Sequence, residues 1–210
     1  MKRGILCLLF VLIGSSSHIQ ATKDYLPIKR ESALDVFNAC GLSKYMQFSI
    51  FQKAFKGITT FKPKKSIIAI CDFTVSSDKK RFYLIDLEHK KLLANTLVAH
   101  GKNSGALIAK YFSNTPESYK SSKGFFNIGS QIISPKHGIA LLLEGLERGI
   151  NDNAKKREII IHGADYVSES FIQKYGRLGR SFGCPALPQD VVNTIAPLVA
   201  DGGLLYIHTQ

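Results

Sequence analysis

The chain lacks an apolar run long enough to cross a bilayer. Its longest, Ile5 to Ile13, is nine residues, against about 20 for a spanning helix. It also lacks any Cys-x-x-Cys or His-x-x-x-His pair. Without paired ligands at such spacing no metal site is expected, and nothing else calls for a cofactor. Acidic residues are scarce: 16 Asp and Glu stand against 28 Lys and Arg, a net charge of +12 at pH 7. That balance favours anionic partners, yet no nucleic-acid motif accompanies it. The bases fall in short runs, Lys62-Pro63-Lys64-Lys65, Lys79-Lys80-Arg81, Lys90-Lys91 and Lys155-Lys156-Arg157, which read as solvated turns. No internal repeat or low-complexity tract is present, so repeat architectures are excluded.

What is there begins with an export pattern. Lys2 and Arg3 precede the nine-residue apolar run, and Gly14-Ser15-Ser16-Ser17 leads to Ala21. This is the layout of a signal peptide over residues 1–21, and it predicts an exported chain with no membrane span once processed. Nucleic acid is then the wrong anion, and cell-envelope polymers or lipid headgroups are better partners. Removal of the segment leaves Cys40, Cys71 and Cys184, an odd number, so at least one thiol stays unpaired. Cys40 and Cys71 both sit among apolar residues. They are either small buried hydrophobes or partners in one disulfide.

Along the chain, residues 22–64 read as a helical N-terminal segment. Ala33, Val36, Phe37 and Cys40 share a helical face ending at Gly41. Phe48, Phe51 and Phe55 repeat the pattern, with Gly57 as the expected stop. From 65 to 210 the pattern is that of one mostly β domain with helices, an α+β class. Ser66–Val75, Arg81–Asp86, Leu92–Ala99, Ile139–Leu143, Glu158–Ile161 and Leu204–His208 are predicted strands. Residues 102–136 carry no long periodic run and are expected to form a loop, either functional or disordered. A short helix is predicted over Ser168–Tyr175, capped by Ser168 and stopped by Gly176. Another starts at Pro188 and should stop or kink at Pro197.

The chemistry concentrates near the C-terminus. His162-Gly163 ends the apolar run Glu158-Ile159-Ile160-Ile161, and Arg180-Ser181-Phe182-Gly183-Cys184-Pro185-Ala186 holds a cysteine in a glycine-containing turn. A thiol is a strong nucleophile only as thiolate, and histidine is the usual group that takes its proton. A cysteine packed for volume alone has little reason to sit in Ser-Phe-Gly-Cys-Pro. Cys184 is therefore the candidate nucleophile and His162 the candidate base. Pro185 has no amide hydrogen, which leaves the amides of Phe182, Gly183 and Cys184 to receive an oxyanion. Ordinary pKa values of about 6.5 for His and 8.5 for Cys predict that activity falls on the acid side of neutrality. His100 and His137 also lie beside glycines and are candidates for lining the cleft.

These motifs resemble the murein L,D-transpeptidase catalytic-domain family. The resemblance rests on His162-Gly163-Ala164-Asp165-Tyr166-Val167, Gly176-Arg177-Leu178-Gly179-Arg180-Ser181 and the Ser-x-Gly-Cys turn. Asp72-Phe73, Val98 to Gly105, Phe112-Ser113-Asn114, Gly145-Leu146-Glu147 and Asn151 to Ala154 extend it over about residues 65–208. It implies a β-sandwich catalytic domain and a cysteine L,D-transpeptidase of the bacterial periplasm or cell envelope, acting on peptidoglycan stem peptides. It also implies that residues 102–136 supply a flap over the site, that the Gly163 carbonyl orients the base, and that Ser181 and His100 contact substrate. Two positions depart from the usual signature, Phe182 in place of histidine and Ala186 in place of a polar residue. Arg180 is the candidate replacement for the missing carboxylate contact, its alternative being a surface salt bridge.

The reading is therefore acyl transfer through a Cys184 thioester, with release of D-alanine from a stem tetrapeptide. The alternatives are an L,D-carboxypeptidase or amidase of the same fold using water, and a non-catalytic wall-binding module. A papain-like peptidase would place its cysteine before its histidine, the reverse of the order here.

Overall fold

The computed structural model describes residues 32–210. The signal-peptide pattern and the first part of the helical segment lie outside them. Ser32 opens α1 (Ala33–Ala39) through a capping box: its hydroxyl accepts from the Asp35 amide, and the Asp35 carboxylate accepts from the Ser32 amide. Gly41 takes the left-handed conformation, φ 63°, and one 3-10 turn leads to α2 (Phe48–Phe61). Gly57 does not stop this helix. A Cβ there would overlap the ring of Phe125, so the glycine is the notch into which that ring packs. The helix ends where Lys62 turns left-handed, φ 48°.

The strands are β1 (Ile67–Asp72), β2 (Phe82–Asp86), β3 (Lys91–Thr96), β4 (Gly124–Ser134), β5 (Gly138–Gly145), β6 (Ile160–Gly163), β7 (Ala186–Leu187) and β8 (Gly203–His208). They form one mixed sheet in the order β3-β2-β1-β8-β4-β5-β6-β7. Only β1–β8 and β6–β7 are parallel pairs. Beyond β3 the chain returns to the far edge, where Ala99 pairs with Ala186 and Gly101 with Ser181. The two edges thus meet, and the sheet closes into the expected sandwich-like α+β domain.

Period-two alternation explains the two cores. In β1 and β2, Ala69, Cys71, Phe82 and Leu84 face the larger core inside the curl, whereas Ile68, Ile70, Tyr83 and Ile85 face a second core. Burial on both faces is why these strands read as continuous apolar runs. The first core is completed by α4 (Gln189–Val199), which buries Val192, Ile195, Ala196 and Val199 at helical spacing. The second is covered by α1 and α2 through Val36, Phe37, Phe51 and Phe55. Cys71 and Cys40 belong to opposite sides of the sheet in this way, and the structure leaves them as free thiols.

Two more expectations need correction. The expected 102–136 loop is shorter, because β4, eleven residues long, begins at Gly124. Its alternation is interrupted by a register shift between Ile128 and Gln131, and its Gly, Asn and Ser content imitates a loop. Asp201 and Gly202 pin the bulge by donating to the carbonyls of Gly129 and Ile128. Pro197 does not stop α4 either. It occupies the last turn, and Lys65 Nζ reaches the carbonyls of Pro197 and Leu198 at 3.4 and 3.0 Å, supplying the cation that a helix C-terminus favours. The other short helix, α3 (Glu169–Tyr175), lies as expected between Ser168 and Gly176.

Candidate active site

Parallel pairing of β6 and β7 sets the site. His162 lies opposite Ala186, which puts Cys184, two residues earlier, at the same end of the sheet. Both side chains line one cleft of about 650 Å³. The tip of the β4–β5 hairpin, Ile132 to His137, forms one wall, and Arg157 to Ile160 with Arg180 to Phe182 form the others. β4 pairs with β8 only over Gly124–Ile128, while β5 stays paired with β6 over Ala140–Leu142, so the hairpin tip past Ala140 projects as a two-stranded arm beside the cleft. Of residues 102–136, the last five line the cleft, together with His137.

His162 is almost fully buried. Its Nδ1 lies 2.9 Å from the carbonyl of Gly163. A carbonyl can only accept, so Nδ1 carries the hydrogen and Nε2 holds the lone pair, the tautomer a base requires. Burial pushes the His162 pKa down to about 4, against the Gly163 bond and with help from the charges of His137 and Lys136.

Cys184 is partly exposed. Its sulfur accepts the Ile160 amide at 3.5 Å, and its thiol is directed at the Glu158 carbonyl at 3.8 Å. Burial raises the thiol pKa, while the Ile160 amide and the Arg157 guanidinium oppose the rise. At neutral pH the resting pair is therefore a thiol and a neutral imidazole. Rotation about Cα–Cβ is what would turn the thiol from Glu158 toward the cleft.

The turn before the nucleophile is held by Ser181. Its hydroxyl donates to the Cys184 carbonyl at 2.6 Å and accepts the Gly183 amide at 3.1 Å. This corrects two expectations. Ser181 spends its hydroxyl on the turn, and it takes up the Gly183 amide, one of the three expected to receive an oxyanion. Gly183 itself has φ 134°, and a Cβ there would stand 2.9 Å from the Lys120 carbonyl. Ala186 is buried where the sheet edges meet, so it offers no substrate contact.

Arg180 lines the cleft and anchors one nitrogen, Nη1, on the carbonyl of Gly105 at 3.0 Å. His100, expected in the pocket, is instead sealed in the interior at 0% exposure. Arg81, equally buried, donates to its Nδ1 at 2.8 Å, so the ring hydrogen sits on Nε2, which donates to the Gly105 carbonyl at 3.1 Å. Burial and the Arg81 charge push the His100 pKa down to about 4. Its place is behind Arg180, sharing the Gly105 carbonyl.

Sequence reasoning missed Arg157, read as part of a solvated run. Its guanidinium donates to the carbonyls of Ser113 and Lys120, each at 2.6 Å, and to the hydroxyls of Ser118 and Ser122. It stitches the 113–122 loop to the cleft wall, and its charge opposes the rise of the Cys184 pKa. The acceptors lie 35 to 44 residues away in sequence, so no local signal marks it. Phe182 is 59% exposed at the rim, its ring 5.1 Å from that of Tyr119, with Lys102 Nζ 4.5 Å from its centroid.

A cysteine in a glycine-containing turn and an oriented imidazole thus line one cleft. Residues 42–208 match the description L,D-transpeptidase catalytic domain. The chain belongs to the L,D-transpeptidase catalytic domain family, whose members are cysteine acyltransferase-type enzymes related to peptidoglycan peptides. Solved structures similar to it include an L,D-transpeptidase from Mycobacterium smegmatis, at 13% identity and TM-score 0.42, over 69% of this chain and 59% of that one. Another, residues 123–326 of an L,D-transpeptidase from Xylanimonas cellulosilytica, aligns at 12% identity and TM-score 0.41 over 82% and 77%. A third, from Stackebrandtia nassauensis, aligns at 12% and 0.42 over 84% and 75%. The chain thus spans about three fifths of the mycobacterial structure. No curated protein sequence matches it.

Proposed function

We propose that this protein is an exported, peptidoglycan-remodelling cysteine L,D-transpeptidase. The observation that carries the reading is the Nδ1–Gly163 bond, which leaves the basic nitrogen of His162 free in the cleft that Cys184 lines. In the first half-reaction the Cys184 sulfur attacks the carbonyl of the L-centred third residue of a stem tetrapeptide, and its proton passes to His162 Nε2. The amides of Phe182 and Cys184 receive the oxyanion. Collapse breaks the bond to D-alanine, whose nitrogen takes the proton back from His162, and a thioester remains. In the second half-reaction an amine attacks the thioester, gives its proton to His162 and regenerates the thiol. Arg180 binds a donor carboxylate through its unanchored guanidinium edge. Export rests on the charged and apolar layout of residues 1–21.

Intact mass after mixing with tetrapeptide muropeptides tests this. The wild-type protein is expected to gain the donor less alanine, and Cys184→Ala is expected to gain nothing. A folded wild-type protein that neither gains this mass nor releases alanine would refute the reading. The soluble products then distinguish an amine acceptor, which yields a cross-linked dimer, from water, which yields a tripeptide.

A further inference from the structure

The tip of the β4–β5 hairpin carries a second histidine into the site. His137 lies with its ring centroid 3.8 Å from that of His162, the planes inclined by 30°, a face-to-face stack. We propose that His137 is a positioning residue that clamps the His162 ring, so that the placement of the hairpin governs the base.

The stack provides what the Gly163 bond cannot. One hydrogen bond at Nδ1 fixes a point of the imidazole, but rotation about χ2 is soft and broad. A ring laid on its face fixes the plane and hence the direction of Nε2. His137 is well placed for this. Its amide lies 3.3 Å from the Ser134 carbonyl, and Gly138, at φ 67°, turns the chain into β5. Three residues after His137, Ala140 pairs directly with His162 on β6.

The stack also shields one face of the base from water. Burial is the largest influence holding the His162 pKa down. The charged and titratable groups around the pair can be named by element. The hairpin brings Lys136 and His137, the segment before β6 brings Arg157 and Glu158, and the turn before β7 brings Arg180 and Cys184. Tyr166 follows β6, while Glu144 and Lys155, paired at 3.8 Å, lie at the outer wall. The strand partners Ala140 and Ala186, and Gln189 at the start of α4, are uncharged. Removing the His137 ring rehydrates His162, so its pKa rises from about 4 toward its ordinary value of 6.5.

The inference rests on the proposed function only in naming His162 as the base, and its test uses no donor. The rate of Cys184 alkylation by iodoacetamide, read by peptide mass to separate it from Cys40 and Cys71, is followed from pH 4 to 9. The ring protons of His162 are titrated by NMR in parallel. In His137→Ala the His162 midpoint is expected to rise by about one pH unit or more, and alkylation at pH 7 to slow by about tenfold. His137→Phe keeps an aromatic face and is expected to restore both. A folded His137→Ala with wild-type midpoint and rate overturns the proposal. So does a folded His137→Phe that behaves like the alanine variant, or, should alanine prevent folding, one whose midpoint departs from wild type. If the midpoint shifts as stated while tetrapeptides are not turned over, the clamp stands and the transpeptidase reading fails.

Discussion

With a thiol and a neutral imidazole at rest, the proton must leave sulfur as the carbon–sulfur bond forms, because no preformed ion pair supplies the thiolate. The pH dependence follows. His162, held at about 4 by burial, remains a competent base down to roughly that pH, so the acid limb of turnover is expected near pH 4 rather than near 6.5. A limb centred at 6.5 in a kcat/KM profile would contradict the shift. Stability moves with the same groups. His100 and His162 each bind a proton more readily in the unfolded chain than in the fold. Their contribution is complete above pH 6.5 and is lost progressively as pH falls to about 4, by roughly 3 kcal/mol per residue. Urea midpoints at pH 7 and pH 5 are expected to differ more in the wild type than in His100→Asn. At this scale the residues themselves placed Cys184 in a glycine-containing turn and His162 at a strand end, while the Gly163 carbonyl came with the family resemblance. The place of His100, which has the same His-Gly surroundings, was not legible. Arg81, nineteen residues away in sequence, decides its burial and tautomer.

At the scale of elements, the contact between α2 and β4 gives a test whose sign is informative. In an isolated helix, alanine at Gly57 would stabilise by about 1 kcal/mol. Here the methyl group must displace the Phe125 ring, and overpacking of this kind costs about 1–3 kcal/mol. Gly57→Ala is therefore expected to lower the urea midpoint, and a rise would show that the ring yields freely. The same contact explains why a glycine in a helical pattern imitated a stop: its partner lies on a strand that the local pattern did not reveal. The short helix α3, with its serine cap and glycine stop, was readable to within a residue, whereas α1 was readable by its apolar face and its end before Gly41 but not by its start. The bulged β4 was hidden because its alternation breaks at Gly129 and is restored only by pairing with β5.

For the whole molecule, the projecting hairpin tip can be shortened at the cost of three β4–β5 pairs, with the β5–β6 pairs kept. Replacing residues 132–137 by a two-residue turn removes the arm while leaving the β4–β8 pairs intact. The expected outcome is a folded protein in which thioester hydrolysis gains on transfer to an amine, read from the ratio of tripeptide to dimer. An unchanged ratio would remove the arm from acceptor selection. The net charge of +12 acts at longer range, favouring approach to anionic polymers in a salt-dependent way.

The sheet closes through two isolated bridges, Ala99 to Ala186 and Gly101 to Ser181, whereas the strand pairs around β1, β8 and β4 are each held over five or more residues. The turn that carries Cys184 therefore sits on a short seam of the ring. Such a seam opens locally at a lower free energy than the whole domain unfolds. On warming, the enzyme should fall silent before it melts: heat inactivation will precede the loss of circular dichroism, and amides near 99–102 and 181–186 will be the first to take up deuterium.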